Sequence, residues 1–369
     1  MLSLCDDLIQ IIGVHLIDKR KVYLSMCSRY TLRFLHLFCY DTLINVKKIS
    51  ELPYFDRFMR VRISNPNSLC PMFAEHVLYV SNTANSNLFT TPPTFLSASK
   101  VFNNLPPSIR TVTLSQNFNR PITGIVPPNV TRLTFGNNFN VAINKNDIPS
   151  SVTNLKFGWY FNRSIRGIIP ASVKYLTFGA CFNKLICCGD IPSSVRVLTF
   201  GDQFDQPIDG VVPYGVTRLT LGWTFNRPIF KPLPATITHL EFGHMFDTAL
   251  NNCVPMSVTH LTFGATFDKP IDGEIPPHVT HLSFGENFNQ PLNGAIPSSV
   301  THLVFGGQFN RSIDNEIPSS VVSIHFGRNF RHSIDNLPLS VKIILLRELS
   351  GNRFVSYEIR DRINIVWYE

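Results

Sequence analysis

The sequence predicts a repeat solenoid with one short parallel strand per 21–22-residue unit, preceded by a small N-terminal all-α bundle. Three observations lead there. A Phe followed by Asn or Asp recurs at Phe118, Phe139, Phe161, Phe182, Phe204, Phe225, Phe246, Phe267, Phe288 and Phe309, always 21 or 22 residues apart, and Phe330 keeps the step with Arg331 behind it. Most units carry the stretch L-x-F, whose period-two alternation marks a strand with one buried face. A unit this short has room for one such strand and an extended return but no full helix, and it can bury its face only against further copies of itself.

Composition narrows the class. Of 369 residues 30 are Phe and 26 Pro, while only 58 are charged (33 basic, 25 acidic). That is well below the usual share of about a quarter. With 44% apolar residues the chain is not of the disordered, strongly charged kind. No apolar run approaches the roughly 18 residues of a membrane helix, so no spanning helix is expected. Residues 8–17 come nearest to a leader, but Gln10, Gly13 and His15 interrupt them, and Asp6 and Asp7 stand where a signal peptide carries positive charge. The expected setting is therefore the reducing cytoplasm, with Cys5, Cys27, Cys39, Cys70, Cys181, Cys187, Cys188 and Cys253 as free thiols. Their irregular spacing contains no C-x-x-C pair, which argues against a zinc site. Asn129, Asn162 and Asn310 fall in N-x-S/T sequons, which read as coincidences in such a chain. A net charge of +8 spread over 369 residues does not single out a nucleic-acid partner.

The first 40 residues differ in kind. Leu4, Leu8, Ile11, Ile12 and Leu16 follow helical spacing, with Asp6 and Asp7 placed to favour the helix dipole. Asp18 is positioned to cap a second helix carrying Val22, Leu24 and Met26, and a third apolar run covers residues 32–38. Three helices this short make too small a core to stand alone, so the bundle docks on something or caps the open end of the solenoid. Residues 41–104 read as decayed early repeats, with strands near 61–63 and 78–80 and a polar loop at 81–91.

The solenoid proper spans 105–346. Its consensus is V-x-x-L-x-F-G-x-x-F-N-x-P-I/L-x-x-x-I-P-x-S, as in residues 279–299, VTHLSFGENFNQPLNGAIPSS. Stacking turns each constant place into a ladder. The sixth place gives Phe135, Phe157, Phe178, Phe200, Phe242, Phe263, Phe284, Phe305 and Phe326, with Leu114 and Leu221 as exceptions, and the tenth gives the Phe of each FN or FD pair. Offset aromatic pairs add about 0.5–1.5 kcal/mol beyond burial. The glycine at the seventh place permits a close turn, and the late Pro prevents a second strand or a helix. The Asn or Asp of FN/FD keeps a side-chain oxygen able to accept from a backbone N–H in the turn. Within a C-terminal cap spanning 347–369, residues 354–368 alternate and predict a closing hairpin around Arg360–Asp361.

Catalytic signatures are missing: there is no phosphate loop, dinucleotide fingerprint, H-E-x-x-H or nucleophile elbow. The expectation is a protein that catalyses nothing and takes no cofactor. Candidate function sits where outward positions vary. The third place reads Arg132, Asn154, Tyr175, Val197, Arg218, His239, His260, His281 and His302. Lys156 and Glu241 stand out at the fifth place, and the places after the glycine add Trp159, Tyr160, Trp223 and His244. Aromatic and Arg anchors of this kind are enriched in protein-binding hot spots, so an unidentified protein target is expected there. The four histidines, one rung apart at about 4.8 Å, admit three readings: a neutral polar stack, a pH-sensitive surface or a metal site. A further row at the twelfth place (Arg120, Arg163, Lys184, Arg227, Lys269 and Arg311) packs its stems along the ladder or meets an acidic partner.

Over residues 105–346 the FN…I…IP signature resembles FNIP repeats, leucine-rich-repeat relatives found in amoebae and in giant viruses that infect them. The N-terminal pattern L-x-D-D-L-I-x-I-I…L-x-D…L-S-M-C-S-R-Y is similar to an F-box, with Cys5 where that family has Pro. Together the resemblances imply a leucine-rich-repeat-like solenoid serving as substrate-recognition subunit of a Skp–cullin–F-box ubiquitin ligase. Leu4, Asp7, Leu8, Ile12, Leu16 and Leu24 would meet the Skp-type adaptor, and the strand face would hold the target. In a virus this implies redirection of ubiquitination in the host cytoplasm. Two other classes stay open: an interaction scaffold with no ligase link, and a nucleic-acid binder using the basic row.

Overall fold

One coil shows how the chain closes on itself. In residues 279–299 the buried side chains are Val279, Leu282, Phe284, Phe288, Leu292 and Ile296, each less than 5% exposed. Between them the backbone makes corners by bonding three residues back. The Ala295 N–H donates to the Leu292 carbonyl and the Val300 N–H of the next coil to Pro297, and in that next coil the Phe309 N–H donates to the Gly306 carbonyl. The same three corners recur along the chain, for example Phe246 to Gly243, Val211 to Ile208 and Val258 to Pro255. Proline therefore does more than exclude a strand: its carbonyl accepts the bond that feeds the chain into the next one.

The computed structural model describes residues 108–347 without a break, and also 16–18, 21, 40–52, 55–63, 70–72, 74–79 and 362–368. The chain forms two compact units, Met1–Phe161 and Asn162–Glu369. In the first, six strands follow one another in parallel: β1 (Ile44–Asn45), β2 (Arg60–Ile63), β3 (His76–Tyr79), β4 (Thr111–Leu114), β5 (Arg132–Thr134) and β6 (Asn154–Lys156). Short 3-10 helices, Val46–Lys48 and Phe55–Arg57, lie after β1 and before β2. The second unit continues with β7 (Tyr175–Thr177), β8 (Val197–Thr199), β9 (Arg218–Thr220), β10 (His239–Glu241), β11 (His260–Thr262), β12 (His281–Ser283), β13 (His302–Val304), β14 (Ser323–His325), β15 (Ile343–Arg347) and β16 (Asn364–Tyr368). Within this unit each strand pairs in parallel with its chain neighbours, from β7–β8 to β15–β16. The register sets like against like, Leu240 beside Leu261, Leu282 and Leu303.

Several expectations need correction or sharpening. The N-terminal helical bundle and the polar loop at 81–91 lie outside the described residues, apart from single positions such as Leu16, which is half-buried. At the C-terminus the second arm expected of the closing hairpin, β16, joins β15 as a further parallel rung, with Ile365 beside Ile344. Another apolar strand extends the buried face most simply by repeating the same parallel register. The first arm expected of that hairpin lies outside the described residues. The FG glycine is needed less for its turn than for its neighbour. A Cβ on Gly264 would sit 1.7 Å from the Gly243 carbonyl oxygen, and one on Gly285 1.8 Å from that of Gly264. Left-handed backbone occurs elsewhere, on the return path, at Gly210, Gly273, Gly294 and at asparagines such as Asn293 and Asn315.

The FN/FD ladder also works between coils, not within a turn. Asn119 accepts from the Asn140 N–H in the first unit. In the second the chain runs Asn162, Asn183, Asp205, Asn226, Asp247, Asp268, Asn289 and Asn310, each oxygen accepting from the next coil's N–H at 2.9–3.1 Å. Asp serves as well as Asn because only the acceptor is used.

Candidate binding face

The strand face is built by alternation. In every strand from β9 to β13 the middle Leu points into the core, so the residues on either side project outward. In the second unit this face presents Tyr175 on β7 and Arg218 on β9, both exposed, followed by His239, His260, His281 and His302. Trp223, just past the glycine after β9, is half exposed and lies flat on His244, centroids 3.8 Å apart at 6°. Glu241 is exposed on β10 and accepts a bond from the Thr220 hydroxyl. In the first unit, Arg132 and Lys156 are exposed on β5 and β6, and Trp159 and Tyr160 follow them, also exposed. The sequence-predicted target residues are thus surface residues of the strands and the turns after them, divided between the two units. Of the predicted adaptor residues, Leu4, Asp7, Leu8, Ile12 and Leu24 lie outside the described residues.

The histidines form one stack. Successive ring centroids are 4.1, 4.3 and 4.4 Å apart, with interplanar angles of 12°, 8° and 5°. Partial burial lowers the pKa of His239, His260 and His281 from the ordinary imidazole value. Arg218 pushes His239 and His260 further down, and neighbouring imidazoles act on all three. The charged form of these three rings is therefore disfavoured. Sequence reasoning passed over the threonines before each histidine, Thr238, Thr259, Thr280 and Thr301, whose hydroxyls bond the rings. The repeated Thr-His pair was the available signal.

Two other features escaped the sequence. Glu286 reaches across a whole coil, accepting from the Gly307 N–H and pairing with Arg328 two coils away. The bare Gly307 makes room, since a Cβ there would overlap the Glu286 carboxylate. On the return path Tyr214 and Phe230 are among the most exposed aromatics. Tyr214 borders a 570 Å³ cavity lined by Pro192, Val212, Pro213, Lys231 and Leu233. Little in the periodicity marks them.

Four of the six twelfth-place cations have contacts with their own or a neighbouring coil. Arg227 pairs with Asp205 at 3.1 Å and Lys269 with Asp247 at 2.8 Å, while Arg311 donates to the Asn289 carbonyl and Arg120 lies over the Phe118 ring. Burial pushes the Cys253 thiol up to about 12, whereas Cys187 and Cys188 are exposed. Among the described residues, no helix is long and apolar enough to cross a membrane. Nor do three or more His, Cys, Asp or Glu side chains there form a group that could hold a metal ion.

Comparison with known proteins bears on the whole of this repeat. The family model for the FNIP repeat matches residues 101–138, 139–181, 182–222, 225–266, 246–287, 267–308, 288–315 and 309–347. A crystal structure of CroV588, described as a novel circular LRR protein, is 34% identical with a TM-score of 0.69. That alignment covers 80% of this chain and 44% of CroV588, so the chain spans less than half of that protein. A leucine-rich repeat protein from Bacteroides ovatus aligns at 12% identity over 89% of this chain and 76% of its own, at a TM-score of 0.16 that carries no argument. Among curated proteins nothing matches.

Proposed function

The chain belongs to the FNIP repeat family, and from that premise we propose that it is a non-enzymatic adaptor whose strand face captures a protein target. A solenoid of this type is a scaffold for protein interaction. The observation that carries the reading is the outward face of β9–β13: an exposed Arg218, the Trp223–His244 stack and four stacked histidines, all on a rigid parallel sheet. Rigid aromatic and Arg anchors lose little entropy on binding and dominate interface energetics.

The finer reading is that residues 1–40 dock on a Skp-type adaptor of a cullin–RING ligase in the cytoplasm, that of the host cell if the chain is viral. Leu4, Asp7, Leu8, Ile12, Leu16 and Leu24 would form that contact. Support comes from the F-box-like spacing of these residues and from its joining to a repeat array in one chain. The target on the strand face would then be held near the ligase at high effective concentration. The full-length chain, incubated with purified Skp-type adaptor, should retain it, and Leu8→Asp with Ile12→Asp should abolish retention. If the adaptor is not retained by the unmodified chain, or the double variant retains it equally, the ligase reading fails and the scaffold reading stands alone.

A further inference from the structure

The return path is irregular in one coil. Where its neighbours carry Asp209-Gly210-Val211 and Asn251-Asn252-Cys253, this coil carries Phe230-Lys231-Pro232. In the neighbours the third of these residues closes a corner, the Val211 N–H donating to the Ile208 carbonyl and the Cys253 N–H to Leu250. Pro232 has no N–H, so the matching bond to Ile229 cannot form. The Phe230 and Lys231 N–H groups donate instead to the Asp209 carboxylate of the coil before, at 2.9 and 2.8 Å. The Leu233 N–H bonds forward to the Cys253 carbonyl. Beside this opened corner lies the 570 Å³ cavity, walled by Pro192, Val212, Pro213, Tyr214, Lys231 and Leu233 from three successive coils.

We propose that this recess binds an extended, proline-containing peptide of a protein partner, with an acidic residue next to the prolines. The dimensions fit a short segment. Coils spaced about 4.8 Å apart put the outer walls about 10 Å from each other, the length of about three residues of polyproline II chain. The surfaces fit as well. The walls are proline, valine and leucine, and Tyr214 in the wall is 76% exposed. Phe230, directly before the lining residue Lys231, is 73% exposed. Proline-rich segments dock in grooves lined by aromatic rings, because a chain already held in polyproline II loses little entropy on binding.

Charge sets the residue beside the prolines. Lys231 is exposed in the wall of the recess. Arg196, also exposed, donates to the Ser193 and Gly215 carbonyls, which adjoin the lining residues Pro192 and Tyr214. The carboxylates on this stretch are already turned to backbone: Asp190 accepts from the Cys187 N–H, and Asp209 from Phe230 and Lys231. An ammonium group beside an apolar trough favours an incoming carboxylate and disfavours a second cation.

Selection of a random dodecapeptide library on the immobilised full chain tests this. Enriched peptides should carry proline beside Asp or Glu, and fluorescein-labelled copies should bind the chain in solution. Tyr214→Ser with Phe230→Asn gives both exposed places the residue types of other coils, as at Ser193 and Asn251. It should weaken the selected peptides at least tenfold. Lys231→Glu should weaken them about fivefold, and Lys231→Arg should leave them bound. No enrichment, selected peptides that are basic or lack proline, or equal affinity for the aromatic double variant overturns the proposal. Self-association in sedimentation that the same double variant abolishes also overturns it, because the recess would then join copies of this chain. Should a variant fail to fold, hydrogen exchange on the unmodified chain decides: a selected peptide should protect amides in residues 208–234, and protection confined to the strands β10–β13 refutes the site. The recess lies on the return path and the proposed target site on the strand face, so failure here leaves the proposed function untouched.

Discussion

Two ladders of rings run through the second unit, one buried and one exposed, and they are spaced differently. The FN/FD phenylalanines repeat at 6.0–6.4 Å between centroids and those before glycine at 5.5–5.7 Å. Within a coil the two rings lie only 3.9–4.2 Å apart. The histidines outside stack at 4.1–4.4 Å. Inside, each ring is wedged against a partner in its own coil and against its copies above and below, so its position is dictated by packing. Outside, the rings are placed by strand spacing, by one hydroxyl each and by stacking on one another. The same periodicity thus makes the inward residues a continuous core and turns the outward ones into a row of repeated chemistry. Stability should depend on the first and binding on the second.

The sharpest way to break this division is to remove a buried ring. Phe267→Ala should cost about 3–5 kcal/mol, read as a drop in the denaturant midpoint, because the ring is fully buried between Phe246 and Phe288. Gly285→Ala should follow, at about 1–3 kcal/mol or more, since the new methyl falls on the Gly264 carbonyl and forces the coils apart. Asp268→Ala removes the acceptor for the Asn289 N–H and the Gln290 amide, and should cost about 1–3 kcal/mol. The smallest effect belongs to the histidine row. Because the folded-state pKa values of His239, His260 and His281 lie below the ordinary value, the unfolded chain takes up protons first. Stability should be unaffected above about pH 7.5 and decline as pH falls through about 6.5 toward the lowered folded values. A variant with all three changed to Gln, unfolded across pH 7.5 to 5, should show a flatter decline. An equal slope would mean the row does not titrate as a coupled group.

Much of the fold was legible because a 21-residue step fixes which residues are neighbours. Val279, Leu282, Phe284 and Phe288 could be assigned to the core from spacing alone. What periodicity could not reveal was anything acting across coils through particular atoms. The glycine of FG reads in the sequence as a turn residue, but its constraint is the preceding coil's carbonyl. The Asn and Asp oxygens were assigned to the right donor type in the wrong coil. The C-terminal alternation was correctly apolar, yet alternation does not say whether a strand pairs parallel or antiparallel, and β16 pairs parallel. On the binding face, Arg218, Trp223 and the histidines could be named from the sequence. The threonine hydroxyls that bond the rings left only the repeated Thr-His pair as a signal, since periodicity does not say which atoms of neighbouring residues meet.

The division between an inward ladder that holds the fold and an outward ladder that binds is tested most directly by one paired denaturation experiment. Its two arms are Phe267→Ala, and a variant with Arg218, Trp223, His260 and His281 all changed to Ala. The four-residue surface variant should keep its unfolding midpoint within about 1 kcal/mol of the parent, as exposed positions do, while the single core change loses about 3–5 kcal/mol. A surface variant as unstable as Phe267→Ala would contradict the account, because the exposed row would then be holding the fold.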